Sequence, residues 1–260
     1  MMNKQQLLQA VQQDAAMARL DASEADLEAK FATFKEDPRD LTTLHGSELS
    51  IIAEIRPPED RLATIFDPRV QAQEFAGAGC MAVAACTDTV LHHGDLFYCK
   101  RARELMPLPM IRWDYIVTEY QVVQTRSYEA DALTIPVELI DQNRLRQIVR
   151  RCREIGVTPV MMASTPEDAR TALSVGSRYV FVCDLRWSDE TEPDIEAVVE
   201  MREDLPEAAV MIVHAPGLRE EFVHALAEAG IDAALGSPQA DDPWEAGTRI
   251  RKLVDLPNGR

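Results

Sequence analysis

The feature that most restricts the fold of this chain is a regular alternation that begins near residue 50. Short apolar runs rich in Val, Ile and Met alternate eight times with longer amphipathic stretches. Buried parallel strands have this apolar character, and each needs a helical crossover to reach the next. The expected strands are 51–56, 80–86, 109–113, 131–135, 158–163, 179–183, 209–214 and 232–236. The expected helices are 67–77, 95–106, 118–129, 141–155, 166–175, 194–204, 218–229 and 243–253.

Eight strand–helix repeats without a long structureless loop predict an α/β protein of the (β/α)8 barrel (TIM barrel) class. An open doubly wound sheet is the alternative, but the Gly-x-Gly-x-x-Gly loop that would support it is absent after the first strand. Residues 48–260 are assigned to the barrel. Residues 1–47 contain two further helices, 4–19 and 24–34, and are predicted to form an N-terminal helical extension within a single domain.

Composition narrows the functional classes. The 260 residues carry a net charge of −17, which argues against a nucleic-acid ligand and against an anionic membrane surface. The five cysteines include no Cys-x-x-Cys pair, and no apolar run reaches the length of a membrane span. These features predict a cytoplasmic protein with neither metal nor cofactor. A protein partner on the acidic surface remains open.

A charged pair closes the first strand. Glu54 and Arg56 are two residues apart, so in a strand their side chains point to the same side, and the intervening apolar residues point to the other. Active sites of barrels lie at the carboxyl ends of the strands. The pair is therefore predicted to face the barrel mouth. The alternative is a solvated ion pair on an edge strand, which would contribute little.

Other strand ends supply further candidates. His214 ends the seventh strand and is a candidate acid or base, although a lone histidine there is more often structural. Gly217 and Gly236-Ser237 follow the last two strands, where barrels often bind phosphate through backbone N–H groups. Ordinary turns are the alternative. His92-His93, after the second strand, is interpreted as solvent-facing rather than as a metal site.

At these strand ends the chain resembles the indole-3-glycerol phosphate synthase family of tryptophan biosynthesis, over about residues 48–253. The resemblance implies the barrel, the N-terminal extension and a carboxy-lyase type of activity. It rests on Ile52-Ala53-Glu54-Ile55-Arg56, Cys86-Thr87-Asp88, Arg112-Trp113-Asp114-Tyr115-Ile116-Val117, Tyr120-Gln121-Val122 and Gly236-Ser237.

The chain differs from that family mainly at the positions of the family's charged catalytic and substrate-binding residues. Trp113 stands where the family has a lysine that acts as general acid, and Met162 stands where it has a glutamate that acts as general base. Each such group typically contributes about 10²–10⁴ in rate. Other positions also differ. Arg56 stands in place of a lysine, Cys183 in place of an asparagine, and Leu185 in place of an arginine. Ala215-Pro216 stands in place of a Glu-Ser pair, and the region of the family's Ser-Pro-Ser segment reads Pro58-Glu59-Asp60-Arg61.

Three functional hypotheses follow. The first is a divergent barrel that has lost the standard synthase mechanism and binds, or acts differently on, a phosphorylated small molecule at Gly217, Gly236 and Ser237. The second is an active synthase with a rebuilt acid–base set. The third is a partner or regulatory protein that uses its acidic helices. In the second, the catalytic candidates are Glu54, Arg56, Asp184 and His214, and the substrate-binding candidates are Arg112, Tyr115 and Arg186.

Overall fold

The computed structural model describes residues 2–46, 48–56, 66–184, 191–238, 240 and 242–255. Eight parallel strands pair in chain order, and the last pairs with the first to close a barrel. The predicted fold class is confirmed. The strands are β1 Ser50–Ile55, β2 Ala82–Cys86, β3 Met110–Trp113, β4 Ala132–Pro136, β5 Thr158–Ala163, β6 Tyr179–Val182, β7 Val210–His214 and β8 Ala233–Gly236.

In the described part of the chain, every α-helix begins at a side chain that accepts a hydrogen bond from a backbone N–H group of the first turn, except the two that begin at Phe97 and Glu220. Thr118 and Thr165 form capping boxes with residues three positions on, and Asp141 caps two N–H groups. Such caps explain why the predicted helix starts agree closely with the structure. The helices are α1 Lys4–Asp21, α2 Glu24–Phe31, α3 Pro68–Gly77, α4 Phe97–Arg103, α5 Glu119–Ser127, α6 Gln142–Ile155, α7 Pro166–Ser174, α8 Ile195–Glu203, α9 Glu220–Glu228 and α10 Pro243–Val254.

Strand alternation divides the core into two parts. Ile51, Ala53 and Ile55 pack outward with the surrounding helices. Ile52 points inward and packs with a second cluster that fills the barrel interior. The interior cluster is defined here by Ile52, Ala82, Ala84, Ile111, Trp113, Tyr115, Val160, Met162, Tyr179, Phe181, Cys183, Val210, Ile212 and Leu235.

Helix α1 lies over the carboxyl end of the barrel. Its Leu7 and Val11 pack against the interior cluster. Asp14 accepts a hydrogen bond of 3.0 Å from the Thr89 hydroxyl in the loop after β2, and Lys4 pairs with Glu138 after β4. The N-terminal segment therefore covers part of the mouth at which barrel enzymes hold their ligands.

The opposite end of the barrel is held by a buried carboxylate. Asp131 accepts hydrogen bonds of 2.8 Å from the backbone N–H groups of Arg39 and Met110, and it pairs with Arg103. These contacts join the chain before β1 to β3 and β4, so they stabilise the closed barrel. None of the helices in the described part of the chain is long and apolar enough to cross a membrane.

Candidate active site at the barrel mouth

Glu54 and Arg56 form an ion pair at the carboxyl end of β1. Arg56 Nε donates to Glu54 Oε1 across 2.9 Å. The Glu54 side chain is fully buried and that of Arg56 is 14% exposed. Strand β1 pairs with neighbours on both sides, so the alternative of a solvated pair on an edge strand does not apply. A buried pair of this kind is costly to break, because the remaining charge is left in a poorly solvated site.

The positions of the family's acid and base lie inside the barrel and are filled by apolar groups. The Trp113 ring packs edge-on against Phe181, with centroids 4.8 Å apart, and against His214 at 5.7 Å. Met162 is beside Phe181 in the β5–β6 register and is buried. Neither an indole nor a thioether can serve as a general acid or base near neutral pH. The rings of Trp113, Phe181 and His214 thus contact one another inside the barrel and are called here the aromatic floor. The resemblance implies charged groups at positions 113 and 162 of this interior.

His214 is held neutral in this floor. Burial, together with smaller effects from the charges of Arg56 and His92, lowers its pKa to about 3. Its Nε2 atom is buried and has no hydrogen-bond partner among the described residues. A base with so low a pKa removes protons weakly near neutral pH. This placement weakens the acid–base role predicted for His214, although the residue does lie at the mouth with Arg56.

The loop after β2 contains a second histidine, which the sequence interpretation placed in solvent. That interpretation is wrong for His92: its side chain is only 14% exposed, and Nδ1 lies 2.9 Å from Asp88 Oδ2. Asp88 is itself buried and accepts backbone N–H groups from Val90, Leu91 and His92. The signal available in the sequence was an Asp and a His four residues apart directly after a strand end. His93 is exposed as predicted.

Arg112 of β3 and Tyr115, two residues after that strand, were both predicted to contact substrate, and their side chains lie on opposite sides of the barrel wall. Tyr115 packs with the interior cluster, and burial raises its pKa well above the ordinary range. Arg112 points outward, because Ile111 and Trp113 on either side of it point inward. Its guanidinium donates to Asp114 Oδ2 at 2.6 Å and to groups on α5. This placement favours a structural role for Arg112 over the predicted contact with substrate.

Asp184 follows β6 at the exposed rim of the mouth. Together with Ser164 and Glu138 it lines a cavity of about 330 Å³ beneath the first turn of α1. The rim position separates Asp184 from the aromatic floor that holds His214. Arg186, the other candidate after β6, lies outside the described residues, as do Leu185 and the segment 58–61.

The phosphate-site candidates meet between the last two strands. Ala215 N–H donates to Leu235 O at 2.8 Å, and Gly217 adopts φ of +65° in the turn that follows. A Cβ atom at Gly236 would lie only 2.0 Å from Ala215 O, so the two loops touch through a position that accepts no side chain. Ser237 follows at a half-buried position. The three residues are thus close enough to act on one ligand.

The mouth contains both backbone N–H groups and the guanidinium of Arg56, which are groups that can interact with an anion. Among the residues that the structure describes, no three His, Cys, Asp or Glu side chains are grouped so that they could hold a metal ion. The five cysteines are all buried free thiols, and burial raises the pKa of Cys80 to about 12. In the described part of the mouth, carboxylates and imidazoles are the side chains with acid–base chemistry, whereas Arg56 supplies a permanent positive charge.

Comparison with known proteins gives a consistent family. The family model for indole-3-glycerol phosphate synthase matches residues 2–238. An indole-3-glycerol phosphate synthase of Desulfotalea psychrophila is 31% identical over 191 residues, which cover 72% of this chain and 73% of the relative. One from Streptomyces griseus is 26% identical over 233 residues, covering 88% and 86%.

Solved structures agree on the architecture. A 3-hexulose-6-phosphate synthase from Salmonella typhimurium superposes with a TM-score of 0.64 at 16% identity, covering 79% of this chain and 98% of that one. An N-acetylmannosamine-6-phosphate 2-epimerase from Clostridium perfringens gives a TM-score of 0.61 at 13% identity, covering 85% and 99%. At such identities the likeness concerns the barrel fold alone.

Proposed function

The chain belongs to the indole-3-glycerol phosphate synthase family, and from that premise we propose that it binds a phosphorylated small molecule at the barrel mouth without the family's standard acid–base mechanism. The observation that carries the proposal is the aromatic floor. Trp113 and Met162 occupy the acid and base positions, and both are buried. Losing two such groups costs on the order of 10⁴ or more in rate when each supplies about 10².

The phosphate end of the mouth supports ligand binding. Gly217 and Gly236 keep the close backbone approach that a phosphate needs, and Ser237 adds a hydroxyl. At β1, Arg56 supplies a cation beside the buried Glu54. An anionic ligand would therefore meet backbone donors and a guanidinium despite the net charge of −17.

An active synthase with rebuilt acid and base is the second candidate. It is favoured by the extent of the family match, over residues 2–238, and by the retention of Glu54. The reaction would be decarboxylation, ring closure and dehydration of a carboxyphenylamino-deoxyribulose phosphate. Of the groups predicted for this role, Glu54 and Arg56 have the buried placement that it requires.

Binding and turnover must be measured separately on protein from a synthase-deficient host. Calorimetry with indole-3-glycerol phosphate tests binding, with G236A as the variant expected to lose it and G77A as the matched control. Turnover is followed by the indole fluorescence of the product. Absence of binding by the wild-type protein would refute the proposal, and turnover on the order of 1 s⁻¹ or more would favour the second candidate.

A cytoplasmic location is part of the proposal, since all five cysteines are unpaired thiols. The third hypothesis, a partner protein, has the acidic composition as its support. It predicts that substitution of Glu54 and Arg56 would leave a partner bound.

A further inference from the structure

A second cavity lies at the amino-terminal end of the barrel, opposite the mouth. It has a volume of about 620 Å³ and lies between the chain that precedes β1, the end of α4 and the end of α5. A volume of this size suits a small-molecule ligand. Of the described side chains that line it, four are cationic and three are anionic, although the chain as a whole carries −17. The cationic side chains are Lys35, Arg39, Arg103 and Arg126.

Two of these guanidiniums are held in place by the fold. Arg39 donates to the backbone carbonyls of Met106 and Leu108 at 3.1 and 2.9 Å. Arg103 has a buried side chain that pairs with the carboxylate of Asp131. Both cations are therefore positioned before a ligand arrives, so a ligand does not have to order them on binding.

Arg126 is the cation that the described part of the chain leaves without a counter-charge. It is 6% exposed, and none of the described carboxylates lies within ion-pairing distance of its nitrogens. Its Nη2 donates to the backbone carbonyl of Glu36 at 2.6 Å, and its guanidinium carbon lies 5.2 Å from the centre of the Phe34 ring. Burial and the charge of Arg103 lower the pKa of Arg126, yet a guanidinium stays protonated. Such a poorly solvated charge attracts an anion that enters the cavity.

The helix ends explain only part of this arrangement. Arg103 and Arg126 lie in the last turns of α4 and α5, where a cation interacts favourably with the helix dipole. A cation on the surface would serve that purpose equally well. The helix dipole does not require Arg126 to be buried against Phe34 beside a cavity. This burial without a carboxylate is the observation that points to a ligand.

Glu36 shows how an anion engages the other two guanidiniums. Its side chain is 73% exposed, and its Oε2 lies 3.4 Å from Arg39 Nη2 and 3.8 Å from Arg103 Nη2. Exposed pairs with such long contacts contribute little to stability. The carboxylate of Glu36 is therefore easily displaced by the carboxylate of a ligand.

Apolar side chains line the cavity beside these cations. They include Phe34, which is half-buried, and Leu105, which is exposed. Met106 and Pro107 continue this lining. A flat apolar group placed here removes hydrocarbon surface from water, which is favourable in proportion to the area covered.

We propose that this cavity is a second ligand site, which binds a small carboxylate with an attached apolar ring. The carboxylate pairs with Arg126, and the ring covers Phe34 and Leu105. The proposal does not depend on the phosphorylated ligand of the mouth, because the two sites lie at opposite ends of the barrel. Benzoate is the probe, since it carries both the charge and the ring. Benzamide keeps the ring without the charge, and inorganic phosphate keeps the charge without the ring.

The test is a titration of the full-length protein with benzoate, followed by the NMR line widths of its ring protons. We expect the wild-type protein to bind benzoate with a Kd on the order of 1 mM and to bind benzamide far more weakly. R126Q should weaken benzoate binding about tenfold or more, because a charge-assisted hydrogen bond is lost. R150Q, at an exposed position of α6, is the matched control and should bind like the wild-type protein. G236A, at the mouth, should also retain benzoate.

E36Q should change benzoate binding in the opposite direction. It removes the carboxylate that competes for Arg39 and Arg103 but keeps the backbone carbonyl that holds Arg126. We expect binding to strengthen about two- to fivefold. Because the side chain of Glu36 is largely exposed, this variant should melt with the wild-type protein. E36Q therefore decides the question should R126Q melt well below the wild-type protein.

Four outcomes would overturn the proposal. They are absence of benzoate binding at about ten times the expected Kd, equal binding of benzamide, displacement of benzoate by an equal concentration of inorganic phosphate, and unchanged or weaker binding by E36Q. Loss of benzoate in G236A but not in R126Q would place it at the mouth and would overturn the proposal as well. Binding of indole-3-glycerol phosphate at the mouth is measured independently of all these outcomes, so either proposal can fail alone.

Discussion

The indole ring of Trp113 lies 5.7 Å, centroid to centroid, from the imidazole of His214 at an interplanar angle of 66°. The resemblance places the family's general acid at Trp113, and His214 is a neutral histidine. Their contact shows how the barrel packs an indole where the resemblance implies a buried lysine. An apolar ring needs no counter-charge, so the neighbouring histidine can lose its proton and pack as an aromatic group.

The neutral state of His214 predicts a pH-dependent stability. In the unfolded chain a histidine binds a proton below about 6.5, whereas His214 stays neutral in the folded protein down to a pKa of about 3. The unfolded state therefore binds more protons across this window. The free energy of unfolding should fall by up to roughly 1.4 kcal/mol for each pH unit below about 6.

The H214F variant isolates that contribution. A phenyl ring preserves the packing against Trp113 without titrating. Urea unfolding at several pH values should give H214F a shallower decline than the wild-type protein between about pH 6 and pH 4. H224Q, at a half-exposed position of α9, is the control. Parallel curves for wild type and H214F would show that His214 is protonated in the folded state.

A glycine pair tests the contact between the last two strand ends. The G236A substitution places a methyl group 2.0 Å from the Ala215 carbonyl oxygen, so backbone must move. We expect a loss of about 1–3 kcal/mol in the free energy of unfolding together with weakened phosphate binding. Gly77, at the end of α3, has nothing within 4 Å of such a methyl group. G77A should be neutral or slightly stabilising, and equal effects of the two would contradict the assignment.

Arg112 is predicted to stabilise the barrel wall. It is 4% exposed and holds Asp114, Thr87 and α5 together. The R112Q variant leaves Asp114 buried without its cation, which costs about 3–5 kcal/mol. R150Q, which removes an exposed pair on α6, should change the free energy of unfolding by about 0.5 kcal/mol or less. A stable R112Q protein with impaired ligand binding would instead support the substrate contact predicted from sequence.

The alternating pattern predicted most of the fold because each element signals itself locally. The eight strands fall within two residues of their expected bounds, and the apolar character of Trp113 and Met162 could be read directly from the chain. The sequence interpretation assigned Arg112 a substrate contact, and the period of two in β3 places its side chain on the side of the wall opposite that of Trp113.

His92 shows what local patterns leave undetermined. Its burial depends on the path of the loop after β2, and this loop is held to α1 by the hydrogen bond between Thr89 and Asp14, 75 residues apart in the chain. Neither the loop path nor the long-range contact has a periodic signal. The same holds for the low pKa of His214, which arises first from burial in the folded barrel and then from the charges of Arg56 and His92 on other parts of the chain.

The final prediction concerns restoration of the family's acid and base. W113K and M162E each introduce a buried charge without a fixed partner, so each single variant should lose several kcal/mol of stability. The double variant introduces opposite charges at two positions that both adjoin Phe181, and it should be more stable than the sum of the single effects predicts.

If Glu54 and the phosphate end are otherwise competent, the double variant should turn over the phosphorylated substrate at least tenfold faster than the wild-type protein, as one restored group alone supplies about 10² or more. A folded double variant without turnover would show that the mouth has diverged beyond these two positions.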